Sequence, residues 1–450
     1  MIADRTNHYK LGRKTSMSKE KRIPHDKCLD NSIALMLEGY LFLKNRMDKY
    51  HTDLFVTNLM AQKVICMSGQ QAAEIFYDPQ RFKRNGAAPK RVQKTLFGEN
   101  AIQSMDGKAH LHRKDLFLCL VTVSEQKRLA SFVVEVLEPS LDQWEASKDI
   151  ILFDEANMIL CQAVCRWAGV PLSESEVKEK AQMFSAMVDA FGAVGPRHWK
   201  GRSARKQAEQ WIQAMIEDVR AGKTKAADDT ALYAMAFHKE LNGLPLNSHM
   251  AAVELINVLR PVVAISTYIT FAALALHEHP ECKEKLQSEG SEYTDRFAQE
   301  VRRFYPFAPF LGARVQKDFH WHQCKFKKDT LVLLDIYGTN HDPRIWRNPN
   351  EFCPDRFQDR NSNLFGFIPQ GGSDAAISHR CPGEGVTLEL MKTFLNFLVN
   401  RVTYNVPNQD LSYSLAKIPT LPKSGFVMQN MKRVQYTNRI SNPWHMIILE

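Results

Sequence analysis

The chain reads as a mainly α protein with a minor β region, and three observations predict this. Helical periodicity dominates from about residue 70 to 304. β-branched or alternating stretches are confined to 54–67, 312–334 and 402–429. No internal repeat divides the 450 residues. Hydrophobic content of 44% with 24% charged residues is that of a packed chain, which excludes collagenous, coiled-coil and wholly disordered classes.

In order along the chain, residues 1–22 read as an unstructured basic leader, with Met17 as a candidate start. Helical spacing begins near Leu29 with Ile33, Leu35, Met36, Gly39, Tyr40 and Leu43. Leu54-Phe55-Val56-Thr57 and Val64-Ile65-Cys66 predict strands. Helices are expected over 70–77, 90–97, 107–120, 124–146, 153–168, 174–190, 203–221, 229–239, 247–279 and 292–304. Ala168-Gly169-Val170-Pro171 and Leu241-Asn242-Gly243-Leu244-Pro245 supply turns between them. Short strands follow at 313–315, 320–322 and 330–333, then a Pro-, Asn- and Asp-rich stretch over 338–372 whose length suggests function. A last helix spans about 383–401, before β structure at 402–429. The reading is one domain over 23–434, with a tail over 435–450.

Charge and cysteine usage narrow the function classes. The net charge of +9 sits largely at the ends: residues 1–22 hold seven Lys/Arg against two Asp/Glu, and 432–450 hold three against one. The body is nearly balanced, so the charge gives no argument for a nucleic-acid partner. Nine cysteines with scattered spacing and no Cys-x-x-Cys form neither a disulfide framework nor a zinc motif. The longest apolar run, Val262 to Leu276, is too short to span a bilayer and reads as a buried helix, so no transmembrane segment is expected. With no secretory signal, the expected compartment is a reducing cytoplasm.

The chemistry concentrates in Phe365-Gly366-Phe367-Ile368-Pro369-Gln370-Gly371-Gly372 and the following His379-Arg380-Cys381-Pro382-Gly383-Glu384-Gly385. Cys381 lies in a glycine-flanked loop just before a helix, where N–H groups favour thiolate. Gly383 lets a flat group approach the backbone. Taken alone, such a cysteine is more often a free thiol in a turn. Two further segments change the weighing. Glu300 and Arg303 in Glu300-Val301-Arg302-Arg303 share a helix face. Asn340-His341-Asp342-Pro343-Arg344-Ile345-Trp346 and Phe352-Cys353-Pro354-Asp355-Arg356-Phe357 follow.

In this order the segments resemble the cytochrome P450 superfamily, whose pattern is Glu-x-x-Arg, a Pro-x-Arg-Phe meander and a Cys-x-Gly haem loop. The resemblance implies the cytochrome P450 fold, haem b with Cys381 as both its axial thiolate and metal ligand, and Arg356 locked onto the Glu300/Arg303 pair. His110 and Lys114, four residues apart on one helix, match the propionate-binding helix, and His379 stands where an arginine is usual and would take over its propionate contact.

Three departures are informative. Gly372 lies nine residues before Cys381, where ordinary members have a glycine four before it. His379 replaces the arginine. The central helix carries Leu259-Arg260-Pro261 in place of the acid–alcohol pair that relays protons to dioxygen. Arg260 is the one charge between Glu254 and His277. A buried guanidinium needs an anion, and Glu254, six residues away, is off its face. The anion is either a distant carboxylate of the protein or a substrate carboxylate held bidentately. Pro261 removes an N–H and should open or bend the helix nearby.

These departures are similar to the bacterial fatty-acid peroxygenases of the superfamily, over roughly residues 23 to 434 and including Phe191-Gly192-Ala193-Val194-Gly195-Pro196-Arg197-His198-Trp199. The resemblance implies a peroxygenase that uses hydrogen peroxide, without an obligatory redox partner, to hydroxylate long-chain fatty acids at the β (and α) carbon. Arg260 and Pro261 would form the catalytic pair, with the substrate carboxylate on Arg260 as acid–base catalyst. Gln103 matches a distal position that is Gln or His in this branch; Gln donates a proton less readily than His, which favours hydroxylation over decarboxylation to alkenes. Phe97 and Phe307 match aromatics of the haem and acyl channel. The alternatives are an alkene-forming decarboxylase, a dioxygen-dependent monooxygenase with redox partners, and a haem protein that binds fatty acids or senses gas without turnover. His277-Glu278-His279 lacks zinc-helix spacing, and His320 and His322 on one strand face lack further ligands.

Overall fold

The computed structural model describes residues 23–434 apart from 27, 323 and 359–362. The expectations for 1–22 and 435–450 lie outside the described residues. The architecture is helical, with a five-stranded sheet at one side and two smaller sheets.

Helix Val123–Ala146 illustrates how the helical part is built. Thr122 caps it by accepting the Glu125 N–H. Leu129, Val133, Leu137 and Leu141, spaced by four, form its buried stripe. Helix Leu152–Ala168 packs on that stripe and ends at Gly169, whose φ of +73° only glycine adopts cheaply. Helix Glu174–Asp189 opens with a Ser173/Glu176 capping box. Helix Pro196–Arg220 begins earlier than its apolar spacing predicts, because Gly195 and then Pro196 at the first helical position start it. Helix Glu281–Ser288 is amphipathic but too short for its period to stand out.

The central helix, Ser248–Val263, is buried on every side from Ala251 to Arg260. Its neighbours are Leu152–Ala168, Pro196–Arg220 and Ala231–Phe237. Beyond Pro261 the helix tightens at Ala264–Ile265, where Ile265 N–H bonds the Val262 carbonyl at 3.1 Å, and resumes over Ser266–Glu278. The stretch Ser248–Glu278 is long and apolar enough to cross a membrane, yet its apolar core is 94% buried within the protein.

In the large sheet, Leu54–Leu59, Gln62–Met67, Leu331–Asp335, Phe310–Val315 and Phe82–Lys83 lie side by side in that order. The pair Gln62–Met67 with Leu331–Asp335 is parallel and the rest are antiparallel. The expected alternation fails in Leu331–Asp335, which is buried throughout. His322 is in a turn at φ +45°, off the strand Phe319–Trp321, so it shares no strand face with His320. The stretch 338–372 is less irregular than expected, since it begins in helix Ile336–Asn340 and contains a tight turn of helix at Pro354–Phe357.

The meander is fastened to helix Gly290–Phe304 as the resemblance implied. Arg303 donates to both Glu300 oxygens at 2.7 and 2.8 Å, and Arg356 Nε donates to Glu300 Oε1 at 3.1 Å. Arg303 also holds the Asn340 and Pro349 carbonyls. Glu300 and Arg303 are fully buried, so neither charge has water as an alternative partner. Glu300→Ala strands two guanidinium groups and is expected to destabilise the protein by ~3–5 kcal/mol. An unchanged urea midpoint would refute this bracing role.

Candidate active site: the cysteine loop and the central arginine

Cys381 is fixed from its backbone. Its N–H donates to the Gln370 carbonyl at 3.0 Å, and Gln370 Nε2 lies 3.8 Å from Sγ while donating to Thr387 Oγ1 at 3.0 Å. Gly371 lets the loop turn at φ +102°. A Cβ there would come within 2.7 Å of the Tyr77 hydroxyl oxygen and 3.1 Å of the Arg380 Cα. Gly371→Ala is therefore expected to distort the loop at a cost of ~1–3 kcal/mol and to lower haem retention, read as Soret absorbance per protein. Wild-type retention would show that the loop tolerates a side chain.

Burial pushes the Cys381 thiol up, while the Gly383 N–H, Lys114 and Arg302 pull the other way. A metal ion that takes a thiol as a ligand deprotonates it. At Gly383 a Cβ would meet only Cys381 Sγ, at 3.8 Å, so no protein atom demands glycine there. Just beyond, Glu384 accepts from Arg302 and from Arg380 Nε at 2.6 Å, tying the loop to helix Gly290–Phe304.

Both members of the expected propionate pair are buried, not surface residues. Lys114 on helix Gly107–Leu120 donates to the Ser378 carbonyl at 3.0 Å and to the Arg380 carbonyl, so it holds the cysteine loop directly. Burial lowers its pKa to about 8. His110 stacks on His379 at 3.8 Å, and burial holds both rings towards the neutral form. His379 faces Asp106 at 3.6 Å, and Asp106 accepts the N–H groups of Arg84 and Asn85 at 2.8 Å each. Arg84 and Asp106 thus belong to this corner and were missed, because a lone Arg and Asp in a loop carry no sequence signal.

On the other side, Arg260 is only 7% exposed and its Nε has no hydrogen-bond partner. No carboxylate bears on it among the described residues. Burial and nearby Arg205 lower its pKa to about 9, which leaves it cationic at neutral pH. Glu254 is already taken: it accepts from Arg113 Nη1 at 2.8 Å, Ile102 N–H at 2.9 Å and Asn257 Nδ2 at 3.1 Å.

Asn257, one turn before Arg260, organises the rest. Its amide donates to the Phe97 carbonyl at 2.8 Å and reaches Gln103 Oε1 at 3.5 Å. Phe97 ends a widened helical turn in which the Gly98 N–H bonds the Gln93 carbonyl at 2.8 Å, so 90–97 is not the regular helix expected. Arg260, Gln103 and Phe97 are thereby brought to one region. Phe307 stacks at 4.4 Å on Tyr268, eight residues further along the central segment. Asn257 was the residue to notice, as a polar group one turn from a buried charge.

The cytochrome P450 family pattern matches residues 38–430. The chain belongs to the cytochrome P450 family. The solved structure of cytochrome P450EX alpha (CYP152N1) with myristic acid is similar at a TM-score of 0.89 and 42% identity, over 92% of this chain and 100% of that one. A variant of cytochrome P450 OleT in complex with arachidonic acid is similar at 0.90 and 33% identity, over 92% and 100%. Protopanaxadiol 6-hydroxylase from Panax ginseng is 20% identical over 84% of this chain and 85% of its own length. This P450 is thus placed in the fatty-acid peroxygenase branch.

The family's cofactor is haem b with a cysteine thiolate on iron. The residues present fit it: a Cys381 that is only half-buried as a residue, a glycine that no protein contact requires, and unpartnered buried atoms at Gln370 Oε1, Asn257 Oδ1 and Arg260 Nε. No group of three or more His, Cys, Asp or Glu offers another metal centre among the described residues.

Proposed function

We propose that this P450 hydroxylates long-chain fatty acids at the β carbon, and to a lesser degree the α carbon, with hydrogen peroxide as oxidant, and that Arg260 holds the substrate carboxylate. One observation carries the reading: a buried guanidinium whose Nε is unpartnered and which no carboxylate among the described residues neutralises. Leaving such a charge unpaired costs several kcal/mol, which an incoming carboxylate would offset.

Bound at Cys381, the haem supplies the site of O–O cleavage and oxygen transfer, with thiolate favouring that cleavage. Cys381 anchors it, and His110, Lys114 and His379 form the corner for its propionates. Arg260 orients the carboxylate as a proton carrier between the peroxide oxygens, doing what the missing acid–alcohol pair does elsewhere. Pro261 leaves the helix without an N–H at that point. Gln103, steered by Asn257, presents a neutral amide, which favours hydroxylation over decarboxylation. Overall, R–H and H₂O₂ give R–OH and H₂O. Clamping the carboxylate brings Cα and Cβ nearest the reacting oxygen, so positioning sets the regiochemistry. Phe97 and Phe307 would line the acyl path, each buried CH₂ adding up to ~0.8 kcal/mol. The reading places the protein in the bacterial cytoplasm with no obligatory redox partner.

Haem-loaded protein given myristate and hydrogen peroxide, without reductase, should yield β-hydroxymyristate by gas chromatography. No product from protein whose reduced CO complex shows an intact thiolate haem would overturn the reading.

A further inference from the structure

Glu254, one turn before Asn257, is fully buried, and each of its oxygens has its own task. Oε1 accepts from Arg113 Nη1 at 2.8 Å and from the Ile102 N–H at 2.9 Å. Oε2 accepts from Asn257 Nδ2 at 3.1 Å. Arg113, whose other arm reaches the half-buried Glu240, supplies the opposing charge that a buried carboxylate needs.

Two groups that can only accept therefore face Asn257: the Glu254 carboxylate and, at 2.8 Å, the Phe97 carbonyl. An amide has one end that donates and one that accepts. Asn257 must turn its N–H₂ to both neighbours, which leaves its Oδ1 buried and without a partner. The same N–H₂ lies 3.5 Å from Gln103 Oε1. Gln103 meets a donor there, so the end it turns to Asn257 is its oxygen, and its Nε2 has no partner among the described residues. The backbone works to the same end, since the Ile102 N–H on Glu254 fixes the tight turn Ile102–Ser104 that carries Gln103. Each amide end is assigned by the chemistry of its neighbours, along one chain from Glu254 to Asn257 to Gln103.

We propose that Glu254 is a positioning residue that, acting through Asn257, makes Gln103 a hydrogen-bond donor in the reaction pocket. Gln103 then gives its N–H₂ to an oxygen of the acid held on Arg260. The use of that donor in turnover rests on the fatty-acid reading; the orientation of the amide does not. Glu254→Gln shows why the carboxylate matters. Its one oxygen must stay with Arg113 and Ile102, so its N–H₂ falls opposite Asn257. Asn257 turns its oxygen to that donor, Gln103 follows, and the pocket meets an acceptor in place of a donor.

The test is a double-mutant cycle in the full haem-loaded chain: wild type, Glu254→Gln, Gln103→Leu and the two together. The first readout is the infrared C–O stretch of the reduced CO complex, taken without fatty acid. Distal donors tune a haem-bound diatomic, and a donor at the CO oxygen lowers this stretch. Glu254→Gln should move it to higher wavenumber, and should not move it in the Gln103→Leu background. The second readout is kcat for myristate with hydrogen peroxide. Glu254→Gln should lower it at least about tenfold, but less than about twofold in the Gln103→Leu background. Haem content and melting temperature check the fold. If Glu254→Gln melts early, Arg113→Gln/Glu254→Gln, which removes both charges of the pair, takes its place in the same cycle. An unmoved C–O stretch, or equal effects in both backgrounds, would overturn the proposal, and equal effects would make Glu254 a purely structural residue. Failure of wild-type myristate turnover with the infrared coupling intact would sink the fatty-acid reading alone.

Discussion

Arg260→Ala is expected to lower kcat/KM for peroxide-driven myristate hydroxylation by ~10²- to 10⁴-fold, the range associated with losing a positioned acid–base group. Haem content and the reduced CO spectrum should not change, because Cys381, Lys114 and Glu384 hold the loop without Arg260. A second effect runs the opposite way. Arg260 is a buried cation with no carboxylate on it, so the ligand-free protein carries it at a cost. Arg260→Met, which keeps most of the volume, should therefore stabilise the ligand-free protein by ~1–2 kcal/mol while abolishing turnover. Myristate should raise the wild-type melting temperature by clearly more than that of Arg260→Met, which keeps only the acyl-chain contacts. Loss of activity accompanied by lost stability would instead mark Arg260 as a structural residue.

Cys381→Ala is expected to remove peroxygenase activity altogether. It deletes the one thiol in the loop, and with it the thiolate signature of the reduced CO complex. The fold should survive. The Glu300–Arg303–Arg356 brace and the Arg302–Glu384–Arg380 pairing use no sulfur atom, and the hydrogen bond from residue 381 to the Gln370 carbonyl comes from the backbone. Far-UV circular dichroism should match the wild type within error. A retained thiolate spectrum would assign the ligand to another cysteine. Cys353 is half-buried, while Cys66, Cys161, Cys165, Cys282 and Cys324 are enclosed.

Much of this site could be read from the chain because its parts are local in sequence. The cysteine loop, Glu300 with Arg303, and Arg260 with Pro261 each sit within a few residues, so type and spacing carried the signal. What escaped was built from distant partners. Arg113 meets Glu254 across 141 positions, and His379 meets Asp106 only because helix Gly107–Leu120 packs under the loop. Arg260 alone could not reveal whether a protein carboxylate answered it. Only the fold shows that Glu254 is spent on Arg113, Ile102 and Asn257. The misread elements have equally local reasons. Leu331–Asp335 is buried on both faces and shows no alternation. The helix expected over 90–97 widens at Gln93–Phe97, where Asn257 pins its end. The periodicity near Leu29 splits: Tyr40 and Leu43 are buried, whereas Leu29, Ile33 and Met36 are exposed.

The claim at the centre of this account is that the substrate carboxylate completes the site by pairing with Arg260. The most direct measurement compares myristate with its methyl ester, in hydrogen peroxide turnover by the haem-loaded wild type without reductase. The account predicts β-hydroxylation of the acid and no product from the ester, which keeps the acyl chain but lacks the charge and the proton-carrying oxygens. Equal turnover of the two would contradict it.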